Sequence, residues 1–185
     1  MAFHQVHHSA EVLTPITVYR IHPVEDAVNG ILSAAVSALV ASTYTVLSNQ
    51  DVSPFALFGV DIISLSFFLF GNALRHSHIW LSYGPWLSWI FISPAQHQIH
   101  HSIDPKHWNK NYGYMFAIWD ACIGTLYIPH CYEPLRYGLP DVDQADFSSV
   151  PKLYFLPFLK AFHGLMPGLP AKKTPVQQLN EIRST

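Results

Sequence analysis

The sequence predicts an all-α integral membrane protein, a transmembrane helical hairpin carrying a cytoplasmic, histidine-rich helical cap. Three observations predict it. Residues 27–48 and 52–74 are almost free of charge, all ten Lys and Arg residues lie outside positions 21–74, and His-x-x-His-His occurs twice, at His4, His7, His8 and at His97, His100, His101. Bulk composition agrees: charged residues are 12% of the 185 and hydrophobic residues 50%, where a soluble domain carries about 25% charged.

The chain opens on AFHQVHHSAE, which lacks the charged n-region and apolar h-region of a signal peptide. HPVED at 22–26 reads as a helix start, with Pro23 at the first helical position and acids in the first turn. From there AVNGILSAAVSALVASTYTVLS (27–48) is long enough to cross a hydrocarbon core of about 30 Å. NQDV makes a tight connection to VSPFALFGVDIISLSFFLFGNAL (52–74), whose single charge is Asp61. Arg20 and Arg75 flank this hairpin and Asp51 sits at its tip. The positive-inside rule therefore puts both ends, the histidine boxes and both termini in the cytoplasm.

Residues 79–93, IWLSYGPWLSWIFIS, hold three Trp and one Tyr but are broken at Gly84-Pro85. That suits a shallow or re-entrant segment with an aromatic belt. VPKLYFLPFLKAFHGLMPG (150–168) mixes Lys152 and Lys160 with large apolar groups, like a helix lying on a lipid surface. The chain thus divides into a membrane domain, 1–170, and a polar tail, 171–185. A net charge of −2 without a basic stripe excludes nucleic acid as a partner. Cys122 and Cys131 form no CxxC and read as free thiols.

Histidine carries the chemistry. Chance placement of twelve histidines would give about 0.05 copies of the box, and there are two. On a helix, positions i, i+3 and i+4 fall within roughly 100° of arc, so three imidazoles point one way. Imidazole suits Zn, Fe, Cu or Ni, and two such faces brought together would hold two metals. His76 and His78, in LRHSHI just past the second apolar run, lie where both boxes should be. His76 reads as a ligand; His78 reads as a ligand or as an interfacial hydrogen-bonding group. His22 is a metal candidate or simply part of the helix start, and His107 would orient a ligand or a loop. His130 and His163 carry no pattern. HExxH, Glu-x-x-His, GxSxG and GxGxxG are all missing from the 185 residues, so reducing equivalents, if used, must come from a partner.

Taken in order, FHQVHHS, HPVE, RHSHI, SPAQHQIHHS, NKNYG and IWDACIGTLYIP resemble the fatty acid hydroxylase superfamily, which includes the sterol desaturase family, over about residues 3–129. The resemblance implies an all-helical membrane oxygenase with two Fe ions on the cytoplasmic side. It would use O2 as co-substrate and electrons from a cytochrome or ferredoxin system to hydroxylate or desaturate a membrane lipid (fatty acyl, sterol or ether lipid). The implied metal ligands are His4, His7, His8, His76, His97, His100 and His101, with no catalytic residue separate from them. Asn111, Tyr112, Gly113, Trp119, Asp120 and Gly124 match the family's signature as supports.

Two departures stand out. After Trp119-Asp120 relatives tend to carry a basic and two bulky apolar residues, where this chain has Ala121, Cys122 and Ile123. The family's first box, His-x3-His, normally precedes the first HxxHH, so the chain reads as a fragment, as started at an internal Met, or as a relative that lost the box. Losing those rings would open coordination positions on one metal. The rival reading is a truncated or catalytically silent membrane protein whose metal is structural, inert to O2 and reductant. A zinc hydrolase acting on lipids is a third. Nitrogen-donor sites bind Zn(II) more tightly than Fe(II), so zinc can replace iron on purification.

Overall fold

The computed structural model describes residues 2–53, 55, 62–63, 65–139 and 147–165. Among these, helices are the regular elements; two isolated bridges, Phe91–Phe116 and Ser102–Tyr137, are the only β pairing. A single turn α1 (Gln5–His8) and a 3-10 turn (Pro15–Tyr19) precede the long α2 (Pro23–Ser48). A π-helical stretch (Phe67–Asn72) runs into α3 (Ala73–Arg75), followed by α4 (Gly84–Leu87), α5 (Pro94–His100), α6 (Ile118–Ile123) and α7 (Val150–Leu165). Much of the second apolar run, residues 54, 56–61 and 64 with Asp61 among them, lies outside the described residues. So do the expected tail, 171–185, and residues 166–168 of the amphipathic segment.

The ends of α2 are those its sequence calls for. The His22 ring accepts from the Val24 N–H as N-cap, Pro23 takes N1, Glu25 and Asp26 fill the first turn, and Asn49 closes the helix in the left-handed region. Its 26 residues give about 39 Å of helix, more than the roughly 30 Å of a bilayer core. None of them is buried against protein. It is long and apolar enough to cross a membrane.

The cap packs around polar side chains. Gln96, Asn111, Asp120, His107 and Arg75 are essentially fully buried, beside Ile99 and a few small apolar groups. Burial of so much polarity requires that hydrogen bonds be made inside, and most are, with Arg75 Nε and Ser88 Oγ left over. Ser93 and Gln96 form a capping box at the start of α5, and the Gln96 amide reaches the Ser88 carbonyl. Gln98 donates to the carbonyls of Ser77 and Ile79, tying the segment after α3 to the second box.

Arg75, which flanks the second apolar run, is buried. It is 2% exposed. Its guanidinium lies 5.1 Å from the Phe67 ring and 4.8 Å from that of Tyr114, and donates to the Tyr114 carbonyl and the Asn72 amide oxygen. Two aromatic faces replace water around it. Within residues 79–93, α4 is one turn, Gly84 takes φ +74°, and Trp86 and Trp89 face outward.

Candidate metal centre

Seven imidazoles converge in two groups. His7, His76, His97 and His101 form one, and His4, His8 and His100 the other; within each, one ring nitrogen per residue lies within 4.8 Å of the rest. The two boxes interleave instead of forming one face per ion. In the first box His7 joins the four-nitrogen group while His4 and His8 go to the other; in the second, His97 and His101 join the four and His100 the three. Each group therefore draws rings from both boxes.

Neighbouring Nε2 atoms stand 3.1 Å apart for His7–His76, 3.2 Å for His76–His97 and 3.1 Å for His97–His101. In the smaller group His8 lies 3.0 Å from His4 and 3.2 Å from His100. With metal–nitrogen bonds of about 2.1 Å, ligands at right angles would be about 3.0 Å apart and tetrahedral ones about 3.4 Å. The spacing fits a shared cation.

Proton accounting points the same way. His7 Nδ1 faces the Arg20 carbonyl at 3.3 Å, His76 Nδ1 the Asn72 carbonyl at 3.1 Å, and His100 Nδ1 the Lys110 carbonyl at 2.9 Å. A carbonyl only accepts, so each Nδ1 carries the hydrogen and each Nε2 a lone pair. His7 and His76 thus aim two lone pairs at each other across 3.1 Å, an arrangement a metal ion relieves. Protonation would relieve it too, but burial, with neighbouring histidines adding to it, pushes His7 down to about 3. Burial likewise drops His76 to about 4 and holds His97 and His101 well below their ordinary value. These rings stay neutral, as metal ligands must.

A pH dependence follows for the metal-free chain. Below the unfolded value of 6.5 the unfolded chain binds more of these protons than the folded one, so the stabilisation present above 6.5 is lost as pH falls. The urea midpoint of the chelator-treated protein should drop between pH 7 and pH 5; a flat profile contradicts the neutral-ring reading.

The fatty acid hydroxylase family profile matches residues 1–125. The chain belongs to the fatty acid hydroxylase family. Among the curated relatives of this fatty acid hydroxylase chain are three proteins named alkylglycerol monooxygenase. That of Caenorhabditis elegans is 28% identical over 74% of this chain and 24% of its own length. Those of Danio rerio and Homo sapiens are 29% and 30% identical over 85% and 74% of this chain, covering 31% and 29% of theirs. The chain thus spans about a quarter to a third of the length of the relatives it matches. No solved structure matches it.

The residues matching the fatty acid hydroxylase signature hold the loop that orients His100. Asp120, fully buried, accepts from the Tyr112 and Gly113 N–H groups at 2.8 and 2.7 Å and from the Thr125 hydroxyl at 2.5 Å. Asn111, at φ +55°, donates to the carbonyls of Gln96 and Tyr127 and accepts from the Tyr127 N–H. At Gly113 a Cβ would stand 2.3 Å from the Phe116 carbonyl, so the loop closes only around glycine. Gly124 ends α6 at φ +77°, Tyr112 sets its ring 5.6 Å from that of His100, and Trp119 points outward. Cys122 and Ile123 are exposed, so the departures there fall on an outer face.

The remaining candidates lie elsewhere. Both His22 nitrogens are used, Nδ1 by Val24 and Nε2 on the Tyr154 carbonyl, which leaves no lone pair for a metal. His78 is exposed and joins neither group. His107 is buried between the Ser102 hydroxyl at 2.9 Å and Glu133 at 3.2 Å, and braces the loop after the second box. Sequence reasoning missed Arg20 and Glu25. Arg20 donates to the Val6 carbonyl and the Ser9 hydroxyl, locking the first box while its own carbonyl receives His7. Glu25, 2.5 Å from His4 Nδ1, stood in the HPVE match and was read only as a first-turn acid.

Proposed function

We propose that this chain forms the metal core of a membrane-bound, histidine-rich di-iron oxygenase that hydroxylates or desaturates a lipid. The observation carrying it is the pair of converging imidazole groups at the foot of an exposed apolar helix. His7, His76, His97 and His101 would hold one iron, and His4, His8 and His100 the other. Two redox-active ions would supply the electron sharing that oxidation of an unactivated C–H bond by O2 demands. With one donor fewer, the three-histidine group would leave more room for an exogenous ligand than the four-histidine group. Beside the three lies a pocket of about 340 Å³ bordered by Gln5, Trp108 and Tyr112.

The approach for lipid is a second cavity, about 740 Å³, between α2 and α7, reaching from Val28 and Leu165 past Phe3 to His4. An acyl or alkyl chain entering sideways along α2 would meet the three-histidine group without crossing water. The two apolar runs form the hairpin in this reading, with the histidines and both termini cytoplasmic and electrons delivered from a cytochrome or ferredoxin system. The relatives' name makes alkylglycerols the first lipids to try.

The test joins metal and lipid chemistry. Cells with and without the gene are profiled for lipids differing by one oxygen or two hydrogens, and the purified, iron-loaded protein is assayed for reductant-dependent O2 uptake. Lipid change together with uptake supports the oxygenase. A protein that holds zinc and ignores O2 and reductant is the structural metal binder instead.

A further inference from the structure

Glu25 stands where a neutral partner serves the other rings. Where the structure gives His7, His76 and His100 an Nδ1 partner, it is a backbone carbonyl. His4 Nδ1 instead meets the Glu25 carboxylate at 2.5 Å. An ionised carboxylate only accepts, so His4 donates from Nδ1 and turns Nε2 toward His8, 3.0 Å away. The other oxygen, Glu25 Oε2, is buried with no hydrogen-bond partner. A carboxylate so placed has one polar outlet, through the imidazole, whose Nε2 faces the other rings of its group.

Arg75, buried and adjacent in sequence to His76 of the four-histidine group, is a cation packed between the Phe67 and Tyr114 rings. Asp120, in the loop behind His100, has its oxygens engaged by Tyr112, Gly113 and Thr125.

We propose that Glu25 is a positioning residue for the three-histidine group, fixing His4 with Nε2 as donor and giving that ion negative charge that its neighbour lacks. This rests on the two-metal reading above. The two groups are then inequivalent: a carboxylate backs His4 in the three-histidine group, while His7 and His76 in the other are backed by neutral carbonyls. Because Glu25 sits in the first turn of α2, the membrane helix itself sets the distance between carboxylate and ring.

The test is Co(II) titration of the full chain in detergent, with chelator competition, for the unaltered protein, Glu25→Gln and His8→Ala. His8→Ala identifies the three-histidine step by abolishing it. Glu25→Gln, nearly isosteric and uncharged, should weaken that same step by about 10–100-fold, shift its visible cobalt band, and leave the other step within about twofold. Two unchanged steps in Glu25→Gln, or equal weakening of both, overturn the assignment. An unaltered chain that binds fewer than two Co(II) overturns the two-metal reading itself, and this inference with it.

Discussion

If the chain binds two irons as proposed, His101→Ala should reduce them to at most one per chain, with affinity at the four-histidine group falling by at least about 100-fold. The ring is 2% exposed and central to the cluster, its centroid 4.4 Å from that of His8 and 4.7 Å from those of His7 and His97. Its loss takes a four-nitrogen sphere to three. Partners that merely orient ligands already contribute 10–100-fold to affinity, so removing a ligand should exceed that. The apo fold should suffer less than the metal affinity, because the His101 Nε2 faces another imidazole of the cluster, His97, and holds no backbone donor. Iron per chain after gel filtration, read beside far-ultraviolet circular dichroism, separates the effects. His163→Ala, which alters an exposed ring bonded within α7, is the control. Two irons retained by His101→Ala would contradict the ligand assignment.

Asp120→Ala should produce the largest loss of stability, about 3–5 kcal/mol. Three donors lose a fully buried acceptor at once, and hydrogen bonds to a charged group contribute about 1.5–3 kcal/mol each, with incomplete additivity. The loop from Lys110 to Gly113 would then loosen, and with it the Lys110 carbonyl that holds His100 Nδ1. Affinity at the three-histidine group should fall together with stability. Asp120→Asn keeps one acceptor oxygen but turns an amide toward an N–H donor, so it should lie between the two. Urea unfolding in detergent measures the first effect and Co(II) titration the second. An Asp120→Ala protein with an unshifted midpoint would show that the hydrogen bonds are replaced by water.

Much of the site was legible because its information is local. An i, i+3, i+4 spacing puts three rings on one side of any helix, however short, and both boxes are short: α1 is four residues and α5 seven. Pro23, Glu25 and Asp26 announced the start of α2, and they are at its start. His76 was placed from its position after an apolar run and does meet His7 and His97. Partners distant along the chain were not legible. The burial of Arg75 was not legible, because nothing in the sequence shows Tyr114 folding over it. His22 offered two readings, and only the Tyr154 carbonyl reaching its second nitrogen chose between them.

Composition and spacing were sufficient to establish a helical, lipid-compatible chain with two sets of three nitrogen donors, since hydropathy and helical periodicity act over a few residues. They could not assign rings to ions. That assignment depends on how the two boxes, 92 residues apart at His8 and His100, cross each other, and on which acceptor claims each Nδ1. Long-range packing sets both, so the division into four and three donors, and the single carboxylate in contact with His4, emerge only once the chain is folded.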